Sequence, residues 1–138
     1  MSVPLTQALG HMSDSDATEE LSTCGEAGFI CLTSTREFGL VIRLAVSDPE
    51  RTFEISWPEV FAYASCSDHF RQWDGENVST SKHPVRTYAN SKFLEFVSST
   101  TVASVHIPIA IVHYQILSLY QIIDVAAPHP PRIRRVNV

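Results

Sequence analysis

Six histidines, His11, His69, His83, His106, His113 and His129, are the side chains in this 138-residue chain best suited to hold a metal or move a proton. A zinc site needs three or four ligands converging at about 2 Å. The spacings that bring them together on a helix, H-x-x-x-H and H-E-x-x-H, do not occur. His106 and His113 are an odd number of positions apart, which sends them to opposite faces of a continuous strand. Cys66, Asp68 and His69 have the types of a thiol nucleophile and its base, but sequence neighbours are poorly placed to reach one another in space. There is no G-x-S-x-G elbow, phosphate loop or dinucleotide fingerprint, and the chain has five glycines in all. No catalytic residue, metal ligand or cofactor is therefore expected.

The segment Asp68-His69-Phe70-Arg71-Gln72-Trp73-Asp74-Gly75-Glu76 offers chemistry of another kind, because it mixes large aromatics with carboxylates. Trp and Arg are enriched among interface hot spots, and acids match a basic partner. Asp68, His69, Arg71, Trp73, Asp74 and Glu76 are thus the expected partner-binding residues. The competing reading has Phe70 and Trp73 plugging the core from a loop. Trp57, on an alternating segment, reads as core.

The elements that must carry these residues are mostly strands. Residues 1–26 read as a flexible acidic leader, with Gly10-His11-Met12 resembling a cloning scar and Ser13 to Asp16 able to cap a marginal short helix. Phe29 to Thr33 is a short apolar run. From Phe38 to Val46, Phe38, Leu40, Ile42, Leu44 and Val46 share one face, with Gly39, Val41, Arg43 and Ala45 on the other. Ser47-Asp48-Pro49-Glu50 is turn chemistry. Phe53, Ile55 and Trp57 then alternate with Thr52, Glu54 and Ser56, so an antiparallel hairpin is predicted. Glu59 to Ser65 continues as a strand carrying Phe61 and Tyr63. Residues 66–90 read as a long loop, with one helical turn around His69 to Trp73.

Asn90-Ser91 caps a predicted helix to about Ser98, with Phe93, Leu94, Phe96 and Val97 inward and Lys92 and Glu95 outward. His106 to Leu117 and Tyr120 to Val125 are β-rich, as one bent strand or two. Pro128, Pro130 and Pro131 introduce an extended Pro/Arg tail over 128–138. The expectation is an α+β domain over 27–127, mainly antiparallel β-sheet, curved or partly closed, with one short packed helix.

Charge and cysteine content narrow the function classes. All ten Lys and Arg lie at or beyond Arg36, where ten acids balance them. The net charge of −5 therefore resides in Asp14, Asp16, Glu19, Glu20 and Glu26. A near-neutral body without a basic stripe is not expected to bind nucleic acid directly. Charged residues are only 18% of the chain, so the exterior is either partly apolar and suited to a partner or simply rich in Ser and Thr. Cys24, Cys31 and Cys66 are odd in number and form no C-x-x-C pair, which suits reduced thiols. No signal peptide or membrane span is read, since polar residues interrupt the most apolar stretch, Val105 to Ala127. The expected location is the cytoplasm.

The stretches Ile55-Ser56-Trp57-Pro58-Glu59-Val60-Phe61-Ala62-Tyr63, Phe93-Leu94-Glu95-Phe96, His113-Tyr114-Gln115-Ile116 and Ile122-Ile123-Asp124-Val125-Ala126, with Pro130-Pro131-Arg132-Ile133, form a pattern over roughly residues 38–135. It resembles a group of small, mostly uncharacterised bacterial proteins found in polymorphic-toxin and secretion-system gene clusters, where such proteins act as immunity factors. The resemblance implies a protein that binds a cognate toxin and occludes it. No functional residue carries across. An acid-bearing loop would suit a toxin with a basic active-site cleft. The alternatives are a homodimeric adaptor pairing sheet edges, and a small enzyme or ligand-binding domain without a local motif.

Overall fold

A computed structural model describes residues 14–24, 27–47, 49–67, 84–88, 90–100, 111–119 and 121–136. In chain order the elements are α1 (Asp14–Thr23), β1 (Gly28–Thr35), β2 (Gly39–Val46), β3 (Arg51–Trp57), β4 (Ala62–Ser67), β5 (Val85–Tyr88), α2 (Lys92–Thr100), β6 (Val112–Ser118), β7 (Gln121–Ala127) and β8 (Arg132–Val136). The strands form two four-stranded antiparallel sheets, one in the order β1-β2-β3-β8 and the other β4-β7-β6-β5. The α+β class dominated by antiparallel sheet is as expected, and its partial closure takes the form of two facing sheets. They are joined where the Leu119 N–H donates to the Ala27 carbonyl at 2.8 Å, beside a bridge between Gly28 and Leu119.

Alternation decides which face each sheet turns inward. Leu40, Ile42, Leu44, Phe53, Ile55, Trp57 and Ile133 from the first sheet meet Tyr114, Ile116, Ile123, Val125 and Ala127 from the second in one buried cluster. The Trp57 and Tyr114 rings lie 5.7 Å apart at its centre. The predicted β2–β3 hairpin is present, with Val46 opposite Arg51 across the turn. β6 and β7 are two strands of a second hairpin, which resolves the choice between one bent strand and two. β4 begins at Ala62, later than the expected Glu59.

Phe38 departs from its predicted place on the inward face. Its N–H donates to Thr35 Oγ1, a tight turn forms, and the ring is 68% exposed. Gly39 permits this turn with a φ of 75°, and a Cβ there would collide with the Trp57 and Pro58 carbonyl oxygens.

Two expectations at the ends are corrected. Part of the acidic leader is α1, whose Ala17 and Leu21 are fully buried in the core. Glu20 ties this helix to the sheet by accepting from Arg51 Nη1 at 2.8 Å and Arg135 Nη1 at 3.4 Å. Within the Pro/Arg tail, Arg132–Val136 pairs with β3 as an edge strand, because Ile133 opposite Ile55 supplies an inward apolar side chain between outward arginines. The predicted packed helix is present as α2 and covers the outer face of the second sheet through Phe93 and Val97 on Ala126, while Phe96, expected inward, is exposed.

Candidate functional site

The expected partner-binding residues Asp68, His69, Arg71, Trp73, Asp74 and Glu76 lie outside the described residues, as do Asp48, Phe70 and the proposed helical turn. His11, His69, His83 and His106 lie outside them as well, and His129 is exposed. Among the described residues, no group of three or more His, Cys, Asp or Glu side chains could hold a metal ion, and the three cysteines are free. No helix among the described residues is long and apolar enough to cross a membrane.

Two polar assemblies stand out instead. The first lies under α2. β6 and β7 place His113 and Gln115 on one face of the second sheet, with Asp124 directly opposite Gln115. His113 is 0% exposed and Asp124 1%, with Ser91 and Gln115 at 6%. His113 Nε2 is 2.7 Å from Asp124 Oδ1, and Nδ1 is 2.8 Å from Ser91 Oγ.

A carboxylate accepts, so Nε2 donates to Asp124; in the neutral ring this leaves Nδ1 to accept the Ser91 hydroxyl proton. Ser91 Oγ in turn accepts the Leu94 N–H at 3.1 Å, which makes Ser91 the N-cap of α2. On the other side, the Gln115 amide donates to Asp124 Oδ1 at 3.2 Å, and the Tyr88 hydroxyl donates to Gln115 Oε1 at 3.2 Å. Phe93 and Tyr88 pack against the imidazole with ring centroids 4.8 and 5.1 Å away.

The hydroxyl–imidazole–carboxylate sequence is that of an acyl-transfer triad, but the connections run in reverse. Such a triad activates its hydroxyl through Nε2 and orients the ring through Nδ1. Here the carboxylate holds Nε2, and the serine oxygen spends one lone pair on a helix cap. In this packing the assembly clamps α2 to the second sheet. Burial at these positions demands such mutual partners, since an unpaired polar group would cost about 1–3 kcal/mol.

Sequence reasoning found the Ser91 cap but missed the chain behind it. The available signal was a pair of polar residues at period two, His113 and Gln115, together with Asp124, inside otherwise apolar strands.

The second assembly lies on the outer face of the first sheet, away from α2. Glu54 stands between Arg43 on β2 and Arg134 on β8, in register across three strands. Glu54 Oε2 accepts from Arg43 Nε and Nη2 at 3.3 and 3.1 Å. Oε1 accepts from Arg134 Nε and Nη2 at 3.0 and 2.9 Å. The Glu54 side chain is 10% exposed, against 48% for Arg43 and 47% for Arg134. Beside this ladder runs an open groove of about 440 Å³ lined by Cys31, Thr33, Phe38, Val41, Arg43 and Glu54, among others.

Comparison with protein-family models, curated proteins and solved structures finds no match to this chain.

Proposed function

We propose that this chain is a binding protein of the immunity type, which neutralises a toxin by covering the toxin's working surface. The observation that carries the reading is the outer face of the first sheet. No described helix lies over it, and it presents a groove, an exposed Phe38 ring and two half-exposed guanidinium groups. Ser91, His113 and Asp124, by contrast, are sealed and committed to one another. A pre-organised face of this kind acts through shape and charge complementarity. The toxin as partner rests on the resemblance to immunity proteins, and the cytoplasm as the place of action on the three free thiols.

Co-expression with the product of the neighbouring gene tests it. Growth of cells carrying both genes, arrest with the neighbour alone, and a co-purifying complex are expected. A neighbour harmless by itself refutes the toxin reading.

A second reading, a homodimer joined edge to edge, is favoured by β4. Ala62-Tyr63-Ala64-Ser65-Cys66-Ser67 forms a sheet edge without a charged residue, and Tyr63 is exposed on it. Sedimentation separates the two readings, since Ser65→Lys dissociates a dimer held by this edge and leaves a toxin complex intact.

A further inference from the structure

We propose that the outer face of the first sheet docks an acidic segment of the partner protein, with a carboxylate on Arg43 and Arg134 and a neighbouring apolar side chain in the groove beside Phe38. This rests on the reading of the chain as a binding protein and assigns that reading a surface and a partner chemistry.

The argument begins with charge. Register places Arg43 and Arg134 on the face that carries Glu54, so in a chain of net charge −5 this ladder turns positive charge outward. The ladder itself has two guanidinium groups for one carboxylate.

Geometry makes the excess usable. Each arginine meets Glu54 through Nε and Nη2, one side of its fork. A guanidinium has five N–H donors, so the Nη1 side of each is not spent on Glu54. Glu54 also fixes both side chains in place, which removes most of the ordering cost an incoming carboxylate would otherwise meet.

The groove supplies the second half of recognition. Cys31, Val41 and Phe38 give it apolar walls next to the Arg43 head group. The groove holds about 440 Å³ and is open to solvent. A bare anion would use the arginines and ignore the groove, whereas a peptide pairing an acid with a large apolar residue uses both.

Selection from a phage-displayed library of random short peptides on the immobilised full-length protein tests the proposal. Enrichment of sequences that place Asp or Glu beside Leu, Ile, Phe or Trp is expected. A synthetic peptide of the enriched sequence should bind roughly tenfold more weakly to Arg43→Gln and to Arg134→Gln, a decade being about 1.4 kcal/mol. Phe38→Ser should weaken it similarly. Phe38 lies in a turn outside the ladder, so that variant keeps the test open if an arginine change disturbs folding. Arg43→Lys keeps the charge but loses the fork, so it should recover only part of the affinity. Added salt should weaken the complex.

The proposal is overturned if no sequence is enriched, if enriched sequences lack acids, or if binding is equal in all variants. A dimer that Phe38→Ser dissociates would also overturn it, by giving the face to a second copy. Because the selection does not depend on what the partner does in a cell, failed selection with intact growth rescue sinks the surface and spares the binding reading. Acidic peptides without growth rescue do the reverse.

Discussion

His113 and Asp124 depend on each other because neither has water to turn to. His113→Phe fills the ring's volume yet takes from the Asp124 carboxylate its imidazole donor, and should cost about 1.5–3 kcal/mol in urea unfolding although the Gln115 amide still donates to it. Combining it with Asp124→Leu should recover much of that loss, since an apolar pair of similar size needs no partner. A single-variant cost under about 1 kcal/mol would mean the carboxylate finds other partners. Ser91 carries a chemical prediction: a serine-reactive fluorophosphonate should not label it in the folded protein, and labelling abolished by Ser91→Ala would turn the clamp into an active site. Tyr114 carries a pH dependence. Burial pushes its hydroxyl above the ordinary tyrosine value, so the unfolded chain loses that proton first. Stability present below about pH 10 should therefore fall as pH rises beyond it. Tyr114→Phe should flatten the alkaline limb of a stability–pH curve, and an unchanged limb would exclude this tyrosine as its source.

At the scale of elements, α1 is the simplest to perturb. Its ten residues are too few to be stable alone, and its place depends on Ala17, Leu21 and the Glu20 carboxylate. Glu20→Ala should raise amide exchange over 14–24 while protection in β2, β3 and β7 persists; equal loss everywhere would mean that α1 unfolds only with the whole domain. Gly39→Ala should cost about 1–3 kcal/mol for its backbone angle alone, before the clash with the Trp57 carbonyl is counted, and a thermal melt reads it. These two elements also mark how far the sequence was legible. Period-two alternation revealed β2, β3 and the side of the sheet on which Arg43 and Glu54 stand. The Asn90-Ser91 cap revealed α2. Alternation could not announce α1, because two buried side chains in ten residues make too faint a stripe. The three prolines before β8 masked a strand only five residues long.

Across the whole molecule, one apolar cluster draws side chains from both sheets and α1, so a single cooperative unfolding transition is expected. Coincident fluorescence and far-ultraviolet circular dichroism curves would bear this out, and two separated midpoints would divide the sheets. Each polar assembly joins two neighbouring strands of a hairpin to a side chain from a separate segment, Ser91 in one and Arg134 in the other, and only the topology brings that last member in. Arg134 reaches Glu54 across 80 positions of chain. That span sets an order of events during synthesis. A ribosome that has released residues up to 127 has delivered β1 to β7, yet the flank of β3 that β8 will cover is still an open row of amides and carbonyls. Completion of the first sheet, and with it the ladder on Glu54, waits for the stretch around Ile133, so the nascent chain has neither a covered β3 flank nor a finished outer face until that stretch has emerged.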